Sequence, residues 1–126
     1  MNLDASLEPR LDLAIIDQVR KLGAVRPGLL QRLVEKFDDG TGEFLAFAAG
    51  HAGAETAQER MRQGFHSLKG SAAGLGATRL SALAWEAERA CGADGAADAL
   101  AARIDAVRDE FAHAMHALRQ YVEANA

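Results

Sequence analysis

Residues 66–76 read HSLKGSAAGLG, and His66, Lys69 and Gly70 are the residues in it that could do chemistry. An imidazole with an ordinary pKa of about 6.5 is mostly uncharged at neutral pH, and so is a ready nucleophile. On a helix, residues three and four apart share a face. His66 then has Arg62, Lys69 and Gly70 as neighbours one turn away, with Ala73 beyond them. Cations invite an anion, and glycine removes the side chain that would cover the ring. A histidine beside a lysine over a bare helical turn suits nucleophilic attack on a phosphoryl group. The glycines have a cost, because glycine inside a helix is worse than alanine by about 1 kcal/mol. Two explanations for keeping them stand side by side. Either Gly70 leaves His66 open to a partner, or Gly70 and Gly74 form a small-residue packing seam and His66 is ordinary surface. Other glycine-loop readings fail: in a P-loop the lysine follows the second glycine, whereas Lys69 precedes Gly70, and a dinucleotide fingerprint needs a preceding strand.

The elements that must position these residues are helices. Asp12 can cap a short helix with Ile15, Ile16, Val19 and Leu22 on one stripe, ended by Gly23. Pro27 suits the first turn of a second helix with the stripe Leu30, Leu33, Val34 and Phe37. DDGTG (38–42) has the composition of a turn, yet Phe37, Phe44, Leu45 and Ala48 keep one helical register across it. One long helix weakened near Gly40 and Gly42 is the expectation; two helices with a break is the alternative. GHAGA (50–54) is a clear break. A third helix follows from about Glu55 to Leu75, with Ala57, Met61, Phe65, Leu68, Ala72 and Leu75 inward and Gly76 at its end. A fourth runs from about Ala77 to Ala90, with Leu80, Leu83, Ala84, Ala87 and then Cys91 inward, closed by CGADG (91–95). The last runs from about Ala96 to Glu123 on the stripe Leu100, Ile104, Val107, Phe111, Met115, Leu118 and Val122. No segment alternates with period two, so no strand is expected. The fold class is all-α: an antiparallel four-helix bundle with a short additional N-terminal helix, one domain over residues 11–126 behind a flexible leader of residues 1–10.

Composition narrows the partners. The chain has 126 residues, enough for one core, and a net charge of −4, which argues against nucleic acid. No apolar run approaches the roughly 20 residues of a membrane span, and the N-terminus has no basic start followed by an apolar core. No direct membrane contact is expected. The single cysteine, Cys91, excludes an internal disulfide, points weakly to a reducing compartment and reads as a thiol without a redox role. The four histidines are His51, His66, His113 and His116. His113 and His116 share a face near Asp109 and Glu110, but nothing completes a coordination set, so no metal site is expected.

HSLKGSAAGLGATRLSALAWEAER (66–89) resembles the signature of histidine-containing phosphotransfer (HPt) domains of bacterial two-component phosphorelays: His-x-Leu-Lys-Gly-Ser, then Leu-Gly-Ala, then a leucine-rich amphipathic helix with an acidic or amide residue. The resemblance implies roles residue by residue. His66 is the phosphorylated histidine, attacking through Nε2; Lys69 balances phosphoryl charge; Gly70 leaves room for the phosphoryl group and the partner. Gly76 ends the active-site helix, and Glu88 hydrogen-bonds the other imidazole nitrogen. Phe65, where the family often has a small residue, and the mid-helix Gly64 depart from the pattern.

The function implied is a phosphocarrier. His66 would accept a phosphoryl group from a receiver aspartyl phosphate and pass it to another receiver aspartate, without autonomous kinase activity or an ATP site. The implied partners are response-regulator receiver domains, with a hybrid sensor histidine kinase as a further candidate. No cofactor is expected on this chain; Mg²⁺ comes with the receiver. The docking face expected around His66 comprises Arg62, Gln63, Ser67, Ala73 and Gly74. Trp85, one turn from Glu88 and off the main stripe, either contacts a receiver or packs on a neighbouring helix, and packing is the favoured reading. The expected state is a cytoplasmic monomer, free or as the soluble part of a membrane-bound hybrid kinase. The alternative function is the same bundle used only for binding.

Overall fold

The computed structural model describes residues 8–23, 26, 28–91 and 97–125. Its elements are α1 (Leu13–Leu22), α2 (Leu29–Ala49), a 3₁₀ turn (Glu55–Ala57), α3 (Gln58–Gly74), α4 (Thr78–Ala90) and α5 (Ala97–Ala124), with no strand among the described residues. Helices α2 to α5 form the antiparallel bundle, and no described helix is long and apolar enough to cross a membrane. The core is the set of expected stripes meeting one another: Met61, Phe65, Leu80, Leu100, Ile104, Val107 and Leu118 are almost wholly buried. Each such side chain stabilises the fold by roughly 1.5–3 kcal/mol relative to exposure.

Helix α2 runs unbroken through DDGTG. Its buried face is Leu30, Val34, Phe37, Thr41, Leu45 and Ala48, each three or four residues from the next. Thr41 holds the register across the interruption, and the tertiary contacts of that face outweigh the poor local propensity of the two glycines. The helix begins at Leu29 behind Gly28, whose φ is 77°; Pro27, expected in the first turn, lies outside the described residues. So does most of the loop over 91–95. Leu22 and Leu33, expected to face inward, are 67% and 37% exposed. The start of α1 is pinned to the α3–α4 turn: Asp12 Oδ1 accepts from the Ala14 N–H (3.0 Å), the Asp12 N–H donates to Gly76 O (2.7 Å), and Ile16 is fully buried. Further along, Arg20 Nε donates to the Tyr121 hydroxyl of α5 at 3.1 Å. Leu22 stands at the other end.

The turn between α3 and α4 sets how the two helices face each other. The Ala77 N–H donates to Ala72 O (2.8 Å) and the Gly76 N–H to Ala73 O (3.1 Å), a Schellman pair that satisfies the last carbonyls of α3. It requires a left-handed residue at position 76, and Gly76 has φ 80°. A Cβ there would also sit 2.8 Å from Asp12 O. The same glycine thus turns the chain and lets α1 dock.

Of the leader expected over residues 1–10, Glu8–Arg10 are tied to the bundle, and residues 1–7 lie outside the described residues. Arg79 Nε donates to Glu8 O and the Arg79 N–H to Pro9 O, both at 3.0 Å. Arg10 makes a forked pair with Glu110 (2.9 and 3.1 Å), and Arg79 stands 4.0 Å from the same carboxylate. Glu110, weighed above as a neighbour of the His113–His116 pair, is therefore a buried charge matched by two arginines.

Candidate functional site

The register of α3 puts Phe65 wholly inside the core and turns His66 outward. Phe65 meets Phe44 edge to face, with ring centroids 4.9 Å apart at 80°. Gly64 makes that contact fit: a Cβ on it would fall 2.0 Å from the Phe44 ring. The two departures from the HPt pattern thus explain one another, and neither obstructs His66. Replacing Gly64 by alanine should destabilise the fold by about 2 kcal/mol, the usual scale of overpacking, despite the better helix propensity of alanine. Urea unfolding of Gly64→Ala reads this directly; a midpoint at or above that of the parent would contradict the packing role.

Helix α4 runs back along α3 and delivers Glu88 to His66. One carboxylate bridges two α3 side chains: Oε2 lies 3.0 Å from His66 Nδ1, and Oε1 accepts from Lys69 Nζ at 3.0 Å. Only 16% of the Glu88 side chain is exposed, against 64% for His66. Burial alone pushes the Glu88 carboxyl up; the hydrogen bonds and charges of Lys69 and His66 outweigh it and hold the carboxyl below its usual range. Glu88 is therefore ionised, and a carboxylate only accepts hydrogen bonds. The proton between it and His66 belongs to Nδ1. In the neutral ring, Nε2 then carries the free lone pair. Lys69 meets the carboxylate that holds Nδ1, which makes its first task charge balance at Glu88.

The surface beside the ring is bare. A Cβ on Gly70 or on Gly74 would meet nothing within 4 Å. This removes the packing-seam explanation, because nothing in the described fold packs against either glycine. His66, Arg62, Gln63, Ser67, Gly70, Ala73 and Gly74 are all exposed and continuous along α3. Arg62 is not a loose cation, however: its guanidinium forks onto Glu59 (Nε to Oε2, 3.0 Å), and Gln63 Nε2 donates to Glu59 Oε1 at 3.3 Å. On the α2 side, Ser71, Gly74 and Leu75 form one wall of an apolar cleft of about 370 Å³, faced by Val19, Leu33, Lys36 and Phe37.

Two residues near the site escaped the sequence analysis. Ser81 Oγ donates to Lys69 O at 2.8 Å, fastening α4 to the turn that carries Lys69 and Gly70. Glu59 orders Arg62 and Gln63. Ser81 and Glu88 share a face of α4 at spacing seven, and that periodicity was the available signal. Cys91, one turn after Glu88, donates to Ala87 O (3.3 Å); burial first, then the Glu88 charge, push its thiol up, so it is less reactive than an ordinary cysteine. Trp85 is half-buried, with the Arg89 guanidinium 4.7 Å from its ring centre, and it is not among the side chains that pack against the core.

Comparison with known families matches residues 27–122, most of the chain, to the family described as Hpt domain. No curated protein and no solved structure matches the chain.

Proposed function

The chain belongs to the Hpt domain family, the histidine phosphotransfer modules of phosphorelays, and from that premise we propose that His66 is its phosphoryl acceptor, taking the group from a receiver aspartyl phosphate and passing it to a second receiver aspartate. The observation that carries this is the bridged trio His66–Glu88–Lys69 beside the uncovered turn at Gly70.

The chemistry follows from the proton positions. The Nε2 lone pair attacks phosphorus in line as the bond from phosphorus to the aspartate oxygen breaks, and the electron pair leaves with the receiver carboxylate. Nδ1 keeps its proton, so the ring becomes cationic as the N–P bond forms. Glu88 stabilises that charge through the bond it already makes, much as a carboxylate supports other catalytic histidines. The return step retraces the same path onto another receiver, with no proton gained or lost. Phosphoryl transfer of this kind depends on positioning and charge balance. Mg²⁺ would arrive on the receiver. Gly70 leaves the space that the phosphoryl group and the receiver need, and Ser81 holds the turn that bears it.

The test is to mix the protein with phosphorylated receiver domains and Mg²⁺ and follow its mass. One acid-labile phosphoryl group gained by the parent chain and absent from His66→Gln supports the assignment. Retained receiver binding without any gain, across a broad panel, would instead favour a binding-only module.

A further inference from the structure

We propose that Trp85, with Arg89 over its ring, belongs to the surface that a receiver domain covers while it exchanges phosphoryl groups with His66. The inference rests on the phosphotransfer role above and names part of the partner surface.

Trp85 is the only tryptophan in the chain, and it is half-buried without being part of the core. The part of it that stays exposed is apolar surface on α4, with the Arg89 guanidinium 4.7 Å from its ring centre. Its place on α4 is fixed by its neighbours. Ser81, Trp85 and Glu88 are spaced four and three apart and so share one face. Both flanking residues bond Lys69: Ser81 Oγ to its carbonyl (2.8 Å) and Glu88 Oε1 to its ammonium (3.0 Å). Trp85 therefore lies on the edge of α4 that borders Lys69 and the bare turn at Gly70.

The reaction dictates what must cover that edge. In-line transfer brings the donor phosphorus to roughly 3–3.5 Å from Nε2. A receiver that reaches this distance rests on the open surface around His66 and Gly70. A specific protein interface covers about 800 Å² on each partner, a disc of roughly 16 Å radius. Trp85 stands one helical turn, about 5 Å, from Glu88, whose carboxylate touches His66. It falls inside such a footprint. Its chemistry suits the role, since tryptophan and arginine are the residue types that most often dominate binding energy. The partner chemistry is correspondingly specific: an apolar patch beside the receiver's aspartyl phosphate to cover the indole.

The decisive measurement uses the parent protein and a receiver that lacks tryptophan. On adding the receiver, Trp85 emission should shift to the blue and acrylamide quenching should fall, with a midpoint matching that of phosphotransfer. Trp85→Ala should raise the half-saturating receiver concentration about tenfold, with a smaller change in the rate at saturation. Unchanged Trp85 emission at saturating receiver overturns the inference, whatever the folding of the variant. Phosphoramidate, a small donor without a protein surface, separates the two claims. If it labels His66 while Trp85 emission ignores the receiver, only the Trp85 inference fails. If neither phosphoramidate nor any receiver labels His66, the phosphotransfer role fails, and this inference with it.

Discussion

Replacing Glu88 by alanine should slow phosphoryl transfer to His66 on the order of 100-fold. In the proposed mechanism Glu88 does two things at once: it keeps the proton on Nδ1 and it faces the positive charge that grows on the ring. A hydrogen bond to a charged group contributes about 1.5–3 kcal/mol, and each 1.4 kcal/mol is roughly a factor of ten in rate. The two effects act together in the transition state, so the loss appears in the maximal rate more than in receiver affinity. Glu88→Gln should lose less, on the order of tenfold, because the amide oxygen still accepts from Nδ1–H while the countercharge is gone. The pH dependence has a definite sign. Lys69 and His66 hold the Glu88 carboxyl below its usual range. Its contribution is complete above the ordinary carboxylate pKa of about 4.3 and fades as pH falls through the lowered folded value. The bridge is thus intact throughout the neutral range. Single-turnover rates from a phosphorylated receiver, for the parent, Glu88→Ala and Glu88→Gln, check the order. Equal rates for all three would remove Glu88 from the mechanism.

Gly70→Leu should move stability and activity in opposite directions. Leucine is a better helix former than mid-helix glycine by about 0.8 kcal/mol, and a Cβ at position 70 meets nothing within 4 Å. Urea unfolding should therefore show a gain of roughly that size. In the proposed mechanism the new side chain takes the space beside His66 that the incoming phosphoryl group would use. Misplacement by about 1 Å can cost 100-fold in a reaction that depends on alignment, and transfer should fall by at least that much. Gly64→Ala in the same helix should lose stability, because its space is already filled by Phe44. The pair separates two reasons for a helical glycine. A Gly70→Leu protein that is destabilised would restore the packing seam; one that transfers normally would show that the bare turn has no role.

The sequence carried the helices well because each has an apolar stripe that the bundle uses. The continuity of α2 was legible from the Phe37–Phe44 spacing even though DDGTG has turn composition. The buried Thr41 that secures the register was not, since threonine is seldom a core residue. Leu22 and Leu33 lie on apolar stripes yet stay exposed, because a stripe tells which side of a helix is apolar and not what covers each position on it. At the site, the His66, Lys69 and Gly70 pattern lies within one helix and shows in the sequence. Glu88 came from family likeness alone. Its meeting with His66 depends on the tight turn at Gly76, which folds α4 back along α3. Ser81 was missed for the same reason: its bond to Lys69 crosses between helices and leaves no local trace beyond a face shared with Glu88. Trp85 shows the limit of a residue average. Tryptophan is mostly buried, yet this one is half-buried and stands outside the core cluster.

The central claim is that Glu88 holds the proton on Nδ1 of His66 and leaves Nε2 to take the phosphoryl group. The measurement that meets it most directly is a ¹⁵N–¹H correlation spectrum of the histidine rings before and after phosphorylation by a receiver. The expected result is an unphosphorylated His66 in the Nδ1–H form and a phosphorylated His66 bonded to phosphorus through Nε2, with the spectra of His51, His113 and His116 unchanged. A phosphoryl group on Nδ1, on another histidine, or on none would contradict it.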